Sequence, residues 1–189
     1  MQTVIRGASQ LKVTRSRMAP GSPAGTGGRR TSRRPVEAVQ PPYHLFRRDI
    51  EAGLPPYARA PHIGVLACGP LAHGLLGGTL TEATTFGADD WRSHSPAFTG
   101  PGLRRNLQVV AALGRSAAGR GATIAQLAVA WVLANPAVQV AIVGARTPHH
   151  LQESVGALDL ALSRDDLAEI DGIMAAGVPV GGPSPEGMT

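Results

Sequence analysis

Residues 138–158 read VQVAIVGARTPHHLQESVGAL, and the order of events within them decides the fold. Val138, Val140, Ala141, Ile142 and Val143 form a short apolar run with no polar side chain after Gln139, the pattern of a parallel strand covered on both faces. Gly144 ends the run and frees the backbone to turn or to approach a ligand closely. Thr147-Pro148 then opens a helix, with a capping hydroxyl followed by proline at the first helical position. Strand, glycine turn and helix start together make an anion site. The helix's free N–H groups and positive dipole end face whatever lies beyond the strand, and Arg146 stands beside them to bond a phosphate. His150, Glu153 and Ser154 fall on the first two turns of that helix, within reach of the same ligand. Spacing alone fits equally well a βα corner of any α/β protein with Arg146 in solvent.

Outward from this unit the elements alternate. Upstream, Thr123 caps IAQLAVAWVLAN, a segment apolar nearly all round and closed by Asn135-Pro136, so it is expected to be a buried helix with Trp131 in the core. Before it, Leu103, Leu107, Val110, Ala111, Leu113 and Ala117 recur at three- and four-residue steps and predict an amphipathic helix over 103–118, broken at Gly121. Residues 81–102 carry turn residues and scattered aromatics, as a long ordered surface loop does. Ile63–Cys68 and Val36–Gln40 read as two more strands, separated by a loop and a proline-interrupted helix. Downstream, Ser163 with Asp165 and Asp166 starts a last helix in which Leu167, Ile170 and Met174 face inward, the acids serving the helix dipole and not a catalytic pair. Such alternation means three parallel strands with covering helices, either in an open sheet or in an arc of a (β/α)8 barrel.

Three motifs resemble the aldo-keto reductase family. The first is Gly144-Ala145-Arg146 followed by His150 and Glu153, similar to the family's last strand and cofactor-binding helix. The second is QPPYHLF at 40–46, similar to a strand-end glutamine before a Tyr-His pair, and the third is GPLAHGLL at 69–76, after the middle strand. The resemblance implies that residues 35–175 are the C-terminal portion of a TIM barrel, an incomplete barrel of three parallel strands. It implies NADP as cofactor, held by Gln40 at the nicotinamide carboxamide, by Gly69, Pro70 and Leu71 against the pyrophosphate, and by Gly144, Arg146, His150, Glu153 and Ser154 at the adenosine end. Three positions depart from the family pattern: Cys68 where an aromatic ring stacks on nicotinamide, Thr79 where a basic residue often clamps phosphate, and Ser154 where asparagine is usual.

In the family the proton-donating tyrosine and its lysine, aspartate and histidine partners come from earlier strands. Here Tyr43 and Tyr57 are the two tyrosines and Lys12 is the single lysine, so no catalytic residue is expected within this chain. The expectation is an NADP-dependent carbonyl/alcohol oxidoreductase by family that is inactive alone. The alternatives are a catalytically silent nucleotide-binding or interaction module, or a non-functional remnant. Three strands of a barrel would leave open edges, so self-association or a partner chain completing the barrel is expected.

Composition bounds the rest. Residues 1–34 hold eight basic residues and no acid, while the other ten basic and thirteen acidic residues leave the remainder at a net −3. The high pI therefore belongs to the N-terminal stretch, and nucleic acid is disfavoured as a partner of the body. Residues 1–33 are expected to be a disordered basic tail, with the resemblance beginning abruptly near Pro35 as an abnormal reading frame would produce; residues 176–189 are expected to be a flexible end. One cysteine excludes an internal disulfide and a cysteine-rich zinc site and fits a cytoplasmic location. No metal site and no membrane span are expected.

Overall fold

A computed structural model describes residues 2–6, 38–53, 63–145 and 147–182. Its centre is a sheet of four strands in the order β1-β4-β3-β2, where β1 is Gln2–Arg6, β2 is Ala38–Val39, β3 is Gly64–Cys68 and β4 is Val140–Gly144. Strands β2, β3 and β4 are mutually parallel, as the sequence predicts. The register pairs Ala38 with Gly64, Leu66 with Val140 and Cys68 with Ile142.

Four α-helices surround the sheet: α1 (Gly100–Ala118), α2 (Ile124–Ala134), α3 (Pro148–Gly156) and α4 (Arg164–Met174). Helix α2 lies against β4 and between α1 and α3, which is why it is apolar nearly all round. Its start is fixed by a capping box in which the Thr123 hydroxyl accepts from the Gln126 N–H and the Gln126 side chain accepts from the Thr123 N–H. Leu113 of α1 and Leu127 of α2 are wholly buried, each contributing about 1.5–3 kcal/mol through the area withdrawn from water. Helix α4 opens on a second capping box, Ser163 with Asp166, and buries Ile170. Asp166 also bonds Arg120 at the end of α1, so this acid pins α4 to α1 as well as serving the helix start. Trp131 is buried, stacked on Tyr43 at 5.1 Å and covered by the Arg48 guanidinium at 5.0 Å.

The structure departs from the sequence reading in four places. Gln2–Arg6, inside the stretch read as a disordered tail, is a strand pairing antiparallel with β4, from Gln2 opposite Gly144 to Arg6 opposite Val140. The outer edge of β4 accepts it because an unpaired strand edge offers a row of N–H and C=O groups to any extended segment in reach. The rest of that tail, residues 7–37, lies outside the described residues. The strand read from Val138 begins at Val140: Val138 closes a turn on Asn135, and Gln139 reaches β3 through its side chain, which accepts from the Val65 N–H at 2.7 Å. Helix α1 starts three residues early, at Gly100. After β2 the expected helix is a single 3-10 turn, Asp49–Ala52, with residues 54–62 outside the described set.

The C-terminal segment is tied down as far as Gly182. Val178 N–H donates to the Asn106 side chain at 2.8 Å, Val180 N–H to the Phe46 carbonyl at 3.0 Å, and Val180 is buried. Within the sheet, the side chains of Leu66, Cys68, Val140 and Ile142 share one face, and on it Leu66 and Ile142 are only half-buried.

Candidate functional site

Parallel strands with covering helices present their ligand surface where the strands end and the helices begin. At that end Pro42, Cys68 and Ile142 form one rung across β2, β3 and β4. Gln40 precedes Pro42 by two residues, and its carbonyl lies 4.0 Å from Cys68 Sγ. Gly69 follows Cys68, and Gly144 lies two residues beyond Ile142. The register sets Gln40 level with Leu66 and Val140, Gly69 just past Cys68, and Gly144 two residues past Ile142, so Gly69 and Gly144 lie at the strand ends and Gln40 a little inside them.

The segment after β3 is tightly wound. Gly69 has φ +67°, and a Cβ there would meet nothing within 4 Å, so glycine is required by backbone twist and open space lies beside it. Pro70 is buried and Leu71 half-buried. Ala72 and His73 are left-handed at φ 48° and 56°, an uncommon state for residues with a side chain. Gly144 is exposed, and its missing Cβ also faces open space.

Beyond Gly144, the Thr147 hydroxyl accepts from the His150 N–H at 3.3 Å and caps α3, with Pro148 at its first position. His149 and His150 are exposed on the first turn and Glu153 is half-buried on the second. Ser154 is turned inward: it is 4 % exposed and its hydroxyl donates to the His150 carbonyl at 2.8 Å, so it is spent on the helix and not aimed outward with its neighbours. Arg146 lies outside the described residues.

Beside the mouth sits an aromatic and imidazole cluster that the sequence reading did not assemble. Tyr43 and His44 are buried, as packing residues are. The Tyr43 hydroxyl donates to Glu51 at 2.8 Å and accepts from Asn135 at 3.2 Å, and burial above all pushes its pKa upward. The His44 ring meets the His73 ring edge-on at 6.1 Å, and His73 meets Trp91 at 4.8 Å. Neither His44 ring nitrogen has a hydrogen-bond partner among the described residues, and desolvation with His73 and Arg47 nearby brings its pKa down to about 3. His73 is likewise lowered, by burial first and then by Arg92 and Arg47. Among the described residues no cluster of histidine, cysteine, aspartate or glutamate could hold a metal ion, and no helix is long and apolar enough to cross a membrane.

The family model for the aldo/keto reductase family matches residues 7–175. The chain belongs to the aldo/keto reductase family. The match begins at residue 7 and not near Pro35, so all but the first six residues of the basic stretch set apart in the sequence fall inside it. Among relatives, the chain is 38 % identical over 141 residues to the aldo-keto reductase YhdN of Bacillus subtilis, covering 74 % of this chain and 43 % of that protein. It is 31 % identical over 139 residues to the aldo-keto reductase yakc [NADP(+)] of Schizosaccharomyces pombe, covering 72 % and 41 %. Among solved structures, the glycerol dehydrogenase AKR11B4 from Gluconobacter oxydans superimposes with a TM-score of 0.70 at 35 % identity, covering 80 % of this chain and 46 % of that one. The chain therefore spans less than half the length of the relatives it matches.

Proposed function

We propose that this aldo/keto reductase chain is the dinucleotide-holding part of an NADP-dependent carbonyl/alcohol oxidoreductase, and that alone it binds cofactor without turning over substrate. The observation that carries this reading is that Gly69 and Gly144 lie just past the ends of the neighbouring strands β3 and β4, with the Gln40 carbonyl beside Cys68 and the capped start of α3 following β4. The fit to a dinucleotide is good at its phosphates. Gly69 and Gly144 leave open space where a side chain would stand, and a capped helix N-terminus follows Gly144 within four residues. Gln40 is the residue to hold the nicotinamide amide, while His150 and Glu153 are those to meet the adenosine end, with Arg146 beside them. NADP in place of NAD is supported by the NADP(+) in the yeast relative's name. The nicotinamide, when bound, supplies the hydride.

Among the described residues no tyrosine is placed to protonate a carbonyl. Tyr43 is buried and held by Glu51 and Asn135, with its pKa raised and not lowered. Tyr57 and Lys12 lie outside the described residues. The half-buried pair Leu66 and Ile142 on one sheet face, and the outer edge of β2, unpaired among the described residues, favour an incomplete barrel. Another copy or a partner chain would cover that face, and a partner chain would also have to supply the proton donor.

Calorimetric titration of the full chain with NADP+, read alongside quenching of Trp91 and Trp131 fluorescence, tests the binding claim. NADPH oxidation with a generic aldehyde tests the second. Saturable binding without aldehyde-dependent oxidation is the expected result. No binding at all overturns the reading in favour of a remnant without ligand, and turnover by the chain alone overturns the assignment of catalysis elsewhere. Expected in gel filtration is a species larger than the monomer.

A further inference from the structure

We propose that Arg92 is a positioning residue for the dinucleotide: reaching over from the long loop, it holds the left-handed turn at Ala72–Gly74 and thereby fixes the Gly69–Leu71 backbone in the form that receives phosphate. The proposal rests on the dinucleotide reading above, and goes beyond it in naming what shapes the cradle.

Three consecutive residues after Leu71 have positive φ, at 48°, 56° and 96°, and two of them are not glycine. Residues with side chains stay in that region only when their surroundings impose it, and such places cluster at functional sites. Within the turn, Ala72 N–H donates to the Gly69 carbonyl at 2.9 Å, and the Gly74 and Leu76 N–H groups both donate to the Leu71 carbonyl at 3.0 and 3.1 Å. The carbonyls of Gly69 and Leu71 are thus drawn inward. Pro70 has no N–H and the Ala72 N–H is spent on the Gly69 carbonyl, so the N–H groups of Gly69 and Leu71 are the ones in this run whose direction the turn sets for a phosphate.

The restraint comes from outside β3. Arg92 Nη1 donates to the His73 carbonyl at 3.0 Å, at the centre of the turn. The guanidinium is aimed there by Asp90, which accepts from Arg92 Nε at 3.0 Å and from Nη2 at 2.6 Å and also caps the Trp91–His94 turn through the Arg92 N–H. Phe86 lies under its plane at 4.3 Å, and Phe86 in turn packs on Phe98 at 5.8 Å. Trp91 from the same loop meets the His73 ring edge-on. With Nε and Nη2 on Asp90 and Nη1 on a carbonyl, the Arg92 charge is balanced and its fork engaged. It shapes the cradle and is not itself a phosphate ligand. A lysine would keep the charge and lose the two-sided geometry.

NADP+ titrations of the full chain carrying Arg92→Ala, Arg92→Lys or the pair Arg92→Ala with Ala72→Gly separate the possibilities. The expected result is a loss on the order of tenfold in affinity for both single variants, with most of it recovered in the pair because glycine adopts the left-handed turn without a clamp. Wild-type affinity in Arg92→Lys, or no recovery by Ala72→Gly, overturns the proposal, since either would make Arg92 a mere positive charge. A readout without cofactor keeps the two readings apart. Hydrogen exchange at the Gly74 and Leu76 amides quickens in Arg92→Lys if the clamp is real, and unchanged exchange overturns it. A wild-type chain with no affinity for NADP+ sinks the dinucleotide reading alone.

Discussion

His44 sets an acid limit on this fold. Its ring is 1 % exposed, both nitrogens are without hydrogen-bond partners among the described residues, and its pKa stands at about 3 against 6.5 in the unfolded chain. Above pH 6.5 the imidazole is neutral in both states and costs nothing in pH dependence. As pH falls below 6.5 the unfolded chain takes up a proton that the folded chain refuses, so stability drops by about 1.4 kcal/mol per pH unit and levels off near pH 3 at a total of about 5 kcal/mol. By pH 5 the loss is about 2 kcal/mol, a large share of the 5–15 kcal/mol typical of a domain. His73, also lowered, adds to the same slope. The carboxyls of Asp90 and Asp166, held to about 2 by Arg92 and by Ser163 with Arg120, and that of Glu169, lowered by Arg120, contribute only in more acid solution, below about pH 4.5. Urea unfolding followed by tryptophan fluorescence at pH 7.5, 6 and 5 measures the slope. His44→Phe, which removes the titrating group and two orphaned polar atoms, is expected to flatten it and to lose little at neutral pH. An unchanged slope in that variant would refute the reasoning, since it would mean that His44 is already solvated or paired in the fold.

Two further substitutions test how the loops over the site are fastened. Asn106→Ala removes a buried amide that donates to the Ala97 carbonyl at 3.1 Å and accepts from the Val178 N–H. Each orphaned partner costs about 1–3 kcal/mol, so a loss of roughly 2–6 kcal/mol is expected in denaturant unfolding, together with faster exchange of the Val178 amide. Gly102→Ala drives a Cβ into the Pro96 carbonyl, a backbone atom that cannot swing aside. Overpacking of this kind costs about 1–3 kcal/mol, read as a fall in the denaturation midpoint without a change of slope.

What the sequence made legible was whatever its own period or punctuation encodes. The β-branched run before Gly144, the Thr147-Pro148 start, the Thr123 box and the stripe from Leu103 to Ala117 all report local backbone preferences, and each stands as an element. Pairings between distant segments leave no such mark. Gln2–Arg6 becomes a strand because β4 has an edge to offer; its β-branched Thr3, Val4 and Ile5 suit a strand, but nothing local names the partner, and the basic, glycine-rich stretch after it hid the signal. His44 and His73 are 29 positions apart and meet because β2 and β3 are neighbours. Arg92 acts on a main-chain carbonyl, which carries no residue identity to search for. Asn106 is the instructive case, because it falls on the buried stripe of α1, and a polar amide on an apolar face was a readable sign of a buried partner.

Contacts that shape the mouth and contacts that would close the sheet are separable in this chain. The turn after β3 is held by Arg92, the loop after β2 by Tyr43 with Glu51 and Asn135, and the C-terminal segment by Asn106 and the Phe46 carbonyl. All of these partners lie within the described residues, so the turn after β3, proposed above as a phosphate cradle, does not depend on further strands for its form. Leu66 and Ile142 are different: half-buried on one face of the sheet, they find no equivalent cover here. On the reading proposed above, loss of a partner would therefore weaken the sheet first and leave the turn after β3 shaped, which is why affinity for NADP+ without turnover is the diagnostic pair of measurements for that reading.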